Sequence, residues 1–278
     1  MPPQMALDAE VEARVKDRLI EHFSNLGYFN VEQAACWSLS LGGALVRFLP
    51  LLPLLGVGLD GEEGSGTGEP AATQNEASAL LGRLRLLVSG MGSGSEMIAA
   101  RNFGFGEIYG TELDAFYISL VSDRLAGHPG FFPTAVDGRS IPFGDETFDV
   151  VVSGHIVEHT ADPASYVAEH LRVLKPAGYF LLEFPTRFHT RELHTGLPSI
   201  EWLPETLRTK ILSSIARGGF WFSDDTRKKC RAITDTALKQ VSLRRVRKWV
   251  AESGSRAALV AKGRPAPGVV YGIFLKSI

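Results

Sequence analysis

Residues Ser89-Gly90-Met91-Gly92-Ser93-Gly94-Ser95-Glu96 form a GxGxG run between a short apolar segment and a helix-like one. Closely spaced glycines let a backbone turn sharply and approach a ligand that a Cβ would hold off. A full dinucleotide fingerprint, GxGxxG, would need glycine at position 95, where Ser95 stands, so the run does not favour NAD. Beyond it come Glu112 and Leu113, at the end of a second apolar segment, where a carboxylate can accept hydrogen bonds from both hydroxyls of a ribose. Loop and carboxylate together point to an adenosine-containing ligand, against the bland alternative of a solvated charge at a strand end.

Histidines make up the second candidate group. His155-Ile156-Val157-Glu158-His159 matches the HxxEH signature of inverted zinc peptidases. Zinc there requires both histidines one turn apart on a helix, plus a third ligand. Asp149 to Ser153 is instead β-branched and reads as a strand entering a turn at Gly154, which puts His155 in a loop, so no metal is expected. His189 and His194 stand among Arg187, Arg191 and Glu192, ahead of Trp202-Leu203-Pro204, a grouping that suits a polar acceptor held against an aromatic platform. The alternative is a structural insertion with ordinary surface histidines. Histidine, with an unperturbed pKa of about 6.5, suits removal of a proton near neutrality. His155 is the first choice for that role, His194 and His189 the second, and His159 reads as structural.

The elements that must position these residues alternate between strand and helix patterns. Arg85–Ser89, Glu107–Thr111, Phe132–Val136, Thr147–Ser153 and Tyr179–Phe184 are short apolar runs bounded by turn residues, with segments of helical spacing between them. Such alternation predicts an α/β fold, a doubly wound and mostly parallel sheet whose ligands sit at the carboxyl ends of the strands. Ala257–Ala261 and Val269–Leu275 flank a Gly/Pro-rich turn and predict a C-terminal β-hairpin. Ahead of the first strand, Leu7, Val11, Val15, Leu19 and Phe23 recur every fourth residue and predict an amphipathic helix. The apolar stretch Ser38 to Gly58 is interrupted by Arg47, Pro50 and Pro53 and reads as a buried segment rather than a membrane span, which needs roughly 20 uninterrupted apolar residues. The alternative is a hydrophobic cover over a substrate site or a membrane-surface contact. Residues 60–76 are acidic, Gly-rich and free of large apolar side chains, as a linker is.

Residues 86 to 185 resemble the core of class I S-adenosylmethionine-dependent methyltransferases, in the branch with a type 11-like domain. The run that carries the resemblance is Asp137, Ile141-Pro142-Phe143, Phe148-Asp149-Val150-Val151, Val157-Glu158-His159 and Arg172-Val173-Leu174-Lys175-Pro176-Ala177-Gly178. The resemblance implies a Rossmann-like sheet closed by the C-terminal antiparallel hairpin, under an N-terminal helical cap. It implies S-adenosylmethionine as cofactor, with Gly90, Gly92 and Gly94 facing its methionine part, Glu112 the ribose, and Asp137 with Gly138 the adenine. Ser153, Gly154 and His155 would line the floor near the sulfonium, and Ser89, where the family usually has Asp, would hydrogen-bond the glycine loop. Ala177 replaces the first glycine of a common Gly-Gly turn. The segment from His194 to Pro204 also resembles stretches of bacterial methyltransferases of glycan or glycolipid assembly. The resulting division is a cap over 1–59, a linker over 60–79 and a methyltransferase domain over 80–278 with a lid inserted at about 186–240.

Charge and composition bound the function. The 278 residues carry 29 Lys+Arg against 31 Asp+Glu, a net charge of −2, which excludes the overall basicity of a general nucleic-acid binder. Residues 187–248 hold 14 Lys/Arg and 6 Asp/Glu, which could draw in a phosphorylated acceptor but reads first as a solvated helix face. Cys36 and Cys230 give neither a disulfide framework nor a zinc pair, and the acidic N-terminal stretch differs from a signal peptide, so a cytoplasmic setting is expected. The expected activity is methyl transfer to a small-molecule acceptor, most simply a hydroxyl oxygen of a sugar or glycolipid. The alternatives are C-methylation or a non-catalytic binder of an adenosine cofactor.

Overall fold

The computed structural model describes residues 5–26, 30–57, 79–136, 140–186, 197, 200–219, 221–235 and 239–278. Seven strands form one sheet in the order β3-β2-β1-β4-β5-β7-β6. They are β1 (Arg85–Ser89), β2 (Glu107–Glu112), β3 (Phe131–Ala135), β4 (Phe148–Gly154), β5 (Leu174–Pro185), β6 (Ala257–Gly263) and β7 (Val269–Lys276). The first five pair in parallel, and β7 pairs antiparallel to both β5 and β6. This is the Rossmann-like arrangement with a terminal hairpin that the sequence predicts.

Burial on both faces follows from the alternation of side chains along each strand. Along β1, Leu86 and Val88 enter one apolar cluster and Leu87 the other. The first cluster is completed by Met97, Ile98 and Phe103 of α4 (Ser95–Phe103). The second is completed by Tyr166, Val167 and Leu171 of α6 (Pro163–Val173), and by Val246 and Val250 of α9 (Leu243–Glu252). β5 begins at Leu174, five residues before the apolar run that marks it in sequence, because a register shift against β4 lets Lys175 to Gly178 pass through the edge of the ladder. Ala177 adopts φ +60° there, a conformation that a Cβ disfavours.

Three helices precede the sheet: α1 (Ala9–Asn25), α2 (Val31–Leu39) and α3 (Leu41–Phe48). Asp8 caps α1 by accepting from Glu10 and Val11 N–H. The heptad-like stripe buries Val15, Leu19 and Phe23 with Ala35 of α2 against Leu120 of α5 (Ala115–Arg124). Each such side chain contributes roughly 1.5–3 kcal/mol. The seam is also ionic, since buried Arg124 pairs with Glu12 of α1 at 2.6 Å and donates to the Ser93 carbonyl of the glycine loop at 2.8 Å. The apolar stretch after α2 supplies Phe48, Leu51 and Leu52 to the first cluster. Among the described residues, no helix is long and apolar enough to cross a membrane.

Between β5 and β6 lie α7 (Glu205–Ala216) and α8 (Asp224–Asp235), which share a small cluster of Leu197, Ile200, Leu212, Ile215 and Cys230. The chain returns to the sheet through Lys239, whose N–H donates to the carbonyl of Glu158 at 2.7 Å.

Candidate functional site

The carboxyl ends of β1, β2 and β4 surround a cleft of about 430 Å³ lined by Ser89, Gly90, Glu112, Leu113, Ile156 and His159, among others. The glycine loop forms its wall. Gly90 has φ +74°, and a Cβ there would lie 2.2 Å from the Ile156 side chain, so both backbone angle and space require glycine. Gly92 and Gly94 also take positive φ, and Gly94 is the N-cap of α4. Ser95 is buried, with its hydroxyl on the Ser38 carbonyl of the cap.

Glu112 ends β2 and ties the loop to it. One carboxylate oxygen accepts from Gly92 N–H at 3.0 Å and the other from Leu113 N–H at 2.9 Å. A carboxylate oxygen has two acceptor sites. Asp114 N–H, at 3.4 Å, takes the second site on the oxygen that Leu113 meets, so the free site is on the oxygen that Gly92 meets, open to a ligand hydroxyl.

Under the cleft lies a network of uncharged groups. The Tyr166 hydroxyl sits between Ser89 Oγ at 2.9 Å and Ser153 Oγ at 2.8 Å, and His170 Nε2 meets Ser89 Oγ at 2.8 Å. All four side chains are buried. Burial pushes the His170 imidazole down to about 4, so it is neutral, and burial raises the Tyr166 phenol above its ordinary value. Ser89 thus lines the cleft, and Ser153 supports its floor from below through the Tyr166 hydroxyl.

At the ends of β4 and β5 the chemistry changes. His155 follows Gly154 with φ +57°, held by its N–H on the Glu183 carbonyl at 2.9 Å. Such left-handed non-glycine residues concentrate at functional sites. Its Nε2 lies 3.2 Å from Glu183 Oε1 and its Nδ1 3.6 Å from Glu158 Oε1. Burial alone would drive the proton off this ring, but Glu158 and Glu183 outweigh it and raise the group to about 9. His155 is therefore an imidazolium at neutral pH. Burial likewise pushes Glu183 up, but His155 and Arg47 prevail and hold it below the ordinary carboxylate range. Glu158 is fully buried, and neither of its oxygens accepts a hydrogen bond among the described residues.

His155 stands in a turn and His159 ends the 3-10 segment Val157–His159, so the two do not share an α-helix. Among the described residues no group of three or more His, Cys, Asp or Glu is arranged to hold a metal. Asp137, Gly138, His189 and His194 lie outside the described residues.

Tyr166, His170, Glu158, Glu183 and Arg47 are the site residues that sequence reasoning did not single out. Tyr166 and His170 carried a usable signal, four residues apart on the helical face that also buries Val167 and Leu171. Glu183 carried another, as a lone charge within the apolar run Phe180 to Phe184. Arg47 interrupts an apolar stretch, where it reads only as evidence against a membrane span.

A family of sequences described as the methyltransferase domain matches residues 87–182. An uncharacterized methyltransferase of Mycobacterium tuberculosis is 35% identical over 37% of this chain and 40% of its own length. A probable S-adenosylmethionine-dependent methyltransferase of Mycolicibacterium smegmatis is 40% identical over 34% of this chain and 45% of its own. A ubiquinone/menaquinone biosynthesis C-methyltransferase of Paraburkholderia phymatum is 35% identical over 35% and 41%. The chain thus spans under half the length of these curated relatives. An S-adenosylmethionine-dependent methyltransferase of Mesorhizobium loti shares the fold, with TM-score 0.53 at 15% identity over 84% of this chain and 99% of that one. Residues 87–182 thus match a methyltransferase-domain family, and the sheet shares the fold of a solved S-adenosylmethionine-dependent methyltransferase.

Proposed function

We propose that the protein binds S-adenosylmethionine in the cleft of Glu112 and transfers its methyl group to a small-molecule acceptor, a hydroxyl of a sugar or glycolipid, in the cytoplasm. The observation that carries the cofactor half is the Glu112 carboxylate, fixed by Gly92, Leu113 and Asp114 N–H groups yet keeping a free acceptor site on the oxygen that Gly92 meets. That site suits a ribose hydroxyl, and the positive-φ glycines offer backbone without Cβ to the methionine end. Leu113 covers the adenosine side, while Asp137 and Gly138 are assigned to the adenine by resemblance. When bound, the cofactor supplies a methyl group on a sulfonium, which transfers by in-line displacement.

The chain's own part is alignment, exclusion of water and removal of the acceptor proton. Gly154 ends β4 and His155 follows it in the turn that leads to Ile156 of the cleft, so His155 is the base of this reading. At neutral pH it must first release its own proton, and transfer should quicken as pH rises toward 9. His189 and His194 complete the acceptor side in the same reading. C-methylation is the second reading, favoured by the relative from Paraburkholderia phymatum.

Calorimetry with S-adenosylmethionine, S-adenosylhomocysteine and NAD tests the cofactor; tight binding of NAD alone would sink the proposal. Incubation with methyl-labelled S-adenosylmethionine and fractionated extract of the native host tests the acceptor. Label in polysaccharide or lipid supports it. Label confined to protein or nucleic acid overturns the acceptor class, and cofactor binding with no label in any fraction points to the non-catalytic alternative.

A further inference from the structure

Arg47 carries the cap to the end of β4. Arg47, in the last turn of α3, lies across Gly154, where a Cβ would come within 2.5 Å of its guanidinium carbon. Its Nε and a terminal nitrogen both donate to Glu183 Oε1, at 2.9 and 2.5 Å, and it also pairs with Glu96 in the first turn of α4. Arg47 and Glu183 are both nearly buried, with 12% and 5% of their side chains exposed.

We propose that Arg47 is a positioning residue of the transfer site, which clamps Glu183 beside His155 and so ties the packing of α3 over Gly154 to the charge on that histidine. The inference rests on the reading that methyl transfer occurs at the end of β4. The geometry is specific because Arg47 and His155 share a single acceptor atom, Glu183 Oε1. Two cations on one oxygen compete for it, so Arg47 weakens the grip of Glu183 on the imidazolium while fixing where that carboxylate points. Among the described residues, the other titratable groups around the ring are Glu158 and His159 on the following turn, with Glu96 acting through Arg47. Arg47 thus lowers the proton affinity of the ring, and its removal restores it.

Removal of the cation and removal of the carboxylate must then move His155 in opposite directions, which a merely structural role would not do. The full-length protein, saturated with S-adenosylhomocysteine, is titrated by NMR of its histidine Cε1 resonances. Arg47→Met should move the His155 midpoint up by about one pH unit and Glu183→Gln should move it down by about as much. Arg47→Lys, which keeps the charge but loses the planar two-pronged grip, should fall between wild type and Arg47→Met, and it decides the matter if the methionine variant does not fold. A midpoint that stays in place in the Arg47 variants, or moves in the same direction as in Glu183→Gln, overturns the proposal. Absence of S-adenosylhomocysteine binding to the wild-type protein would instead remove the reading on which it rests.

Discussion

Two histidines lie on opposite sides of the same floor and have been given opposite chemistry. His170, on α6, is fully buried among hydroxyls and the Tyr166 carbonyl, and its imidazole is held down to about 4. His155, at the tip of β4, stands between two carboxylates and is raised to about 9. The first region keeps its groups neutral and so supports a cleft whose recognition falls to Glu112 and backbone N–H groups. The second keeps charges close together, with three carboxylates facing Arg47 and His155. Under the proposed reading the division makes cofactor binding and proton handling separable, so that each side can be attacked without the other.

The largest expected effect is on the charged side. His155→Ala should lower turnover by ~10²-fold or more and leave S-adenosylhomocysteine affinity nearly unchanged, since general-base contributions run at about 10²–10⁴. Single-turnover rates of the wild type should rise about tenfold per pH unit from 7 toward 9, as the neutral ring becomes populated, and the variant should lose that slope. Retained full turnover would exclude His155 as the base.

Next comes stability against acid, which reads the neutral side. A histidine whose folded pKa lies below its unfolded value gives stability that is complete above about 6.5 and is lost as pH falls through about 4. The loss should reach the order of 3 kcal/mol. Glu183, lowered from 4.5, contributes the same sign but only below that pH, so the window between 6.5 and 4.5 isolates His170. His155 has the opposite shift. Its contribution is complete below about 6.5 and is lost as pH rises through about 9, with an amplitude cut by solvent because its side chain is 36% exposed. Urea unfolding from pH 4 to 9 should therefore show a maximum near 6.5, and His170→Gln should flatten the acid limb alone.

Glu112→Ala separates the two sides from the cofactor end. Hydrogen bonds to charged groups are typically worth ~1.5–3 kcal/mol, so the variant should weaken S-adenosylhomocysteine binding by about 2 kcal/mol while leaving the His155 titration in place. An unchanged dissociation constant would move the cofactor elsewhere.

Sequence made the glycine-loop cleft legible, without the Tyr166 and His170 pair beneath it, and left the charged side nearly opaque, for a physical reason. A glycine loop followed by a strand-end carboxylate is a local pattern whose spacing the backbone dictates, so Gly90, Gly92, Gly94 and Glu112 could be named with their surroundings. Arg47, Glu96, Glu158 and Glu183 come from α3, α4, a 3-10 turn and β5, and meet only after the cap docks on the sheet. Each alone reads as an ordinary charge. His155 was placed correctly in a turn after β4, but its protonation depends on Glu183, 28 positions away, which periodicity does not connect to it.

The smallest expected effect tests whether the neutral network supports the floor without touching the ligand. Ser153→Ala removes one of the two hydroxyl partners of Tyr166 and leaves Ser89 Oγ at 2.9 Å as the other. The buried phenol stays singly satisfied, so the loss should be about 1 kcal/mol, the net worth of one neutral hydrogen bond. Neither His170 nor Tyr166 titrates between pH 6.5 and 9, so the difference from wild type should be constant across that range, unlike any change made to Glu183. S-adenosylhomocysteine affinity should change by less than about threefold, because under 1 kcal/mol separates a support from a contact. A tenfold loss of affinity, or a cost that grows with pH, would show that Ser153 answers to the ligand or to the imidazolium two residues on, and the separation between the two halves would fail at the strand they share.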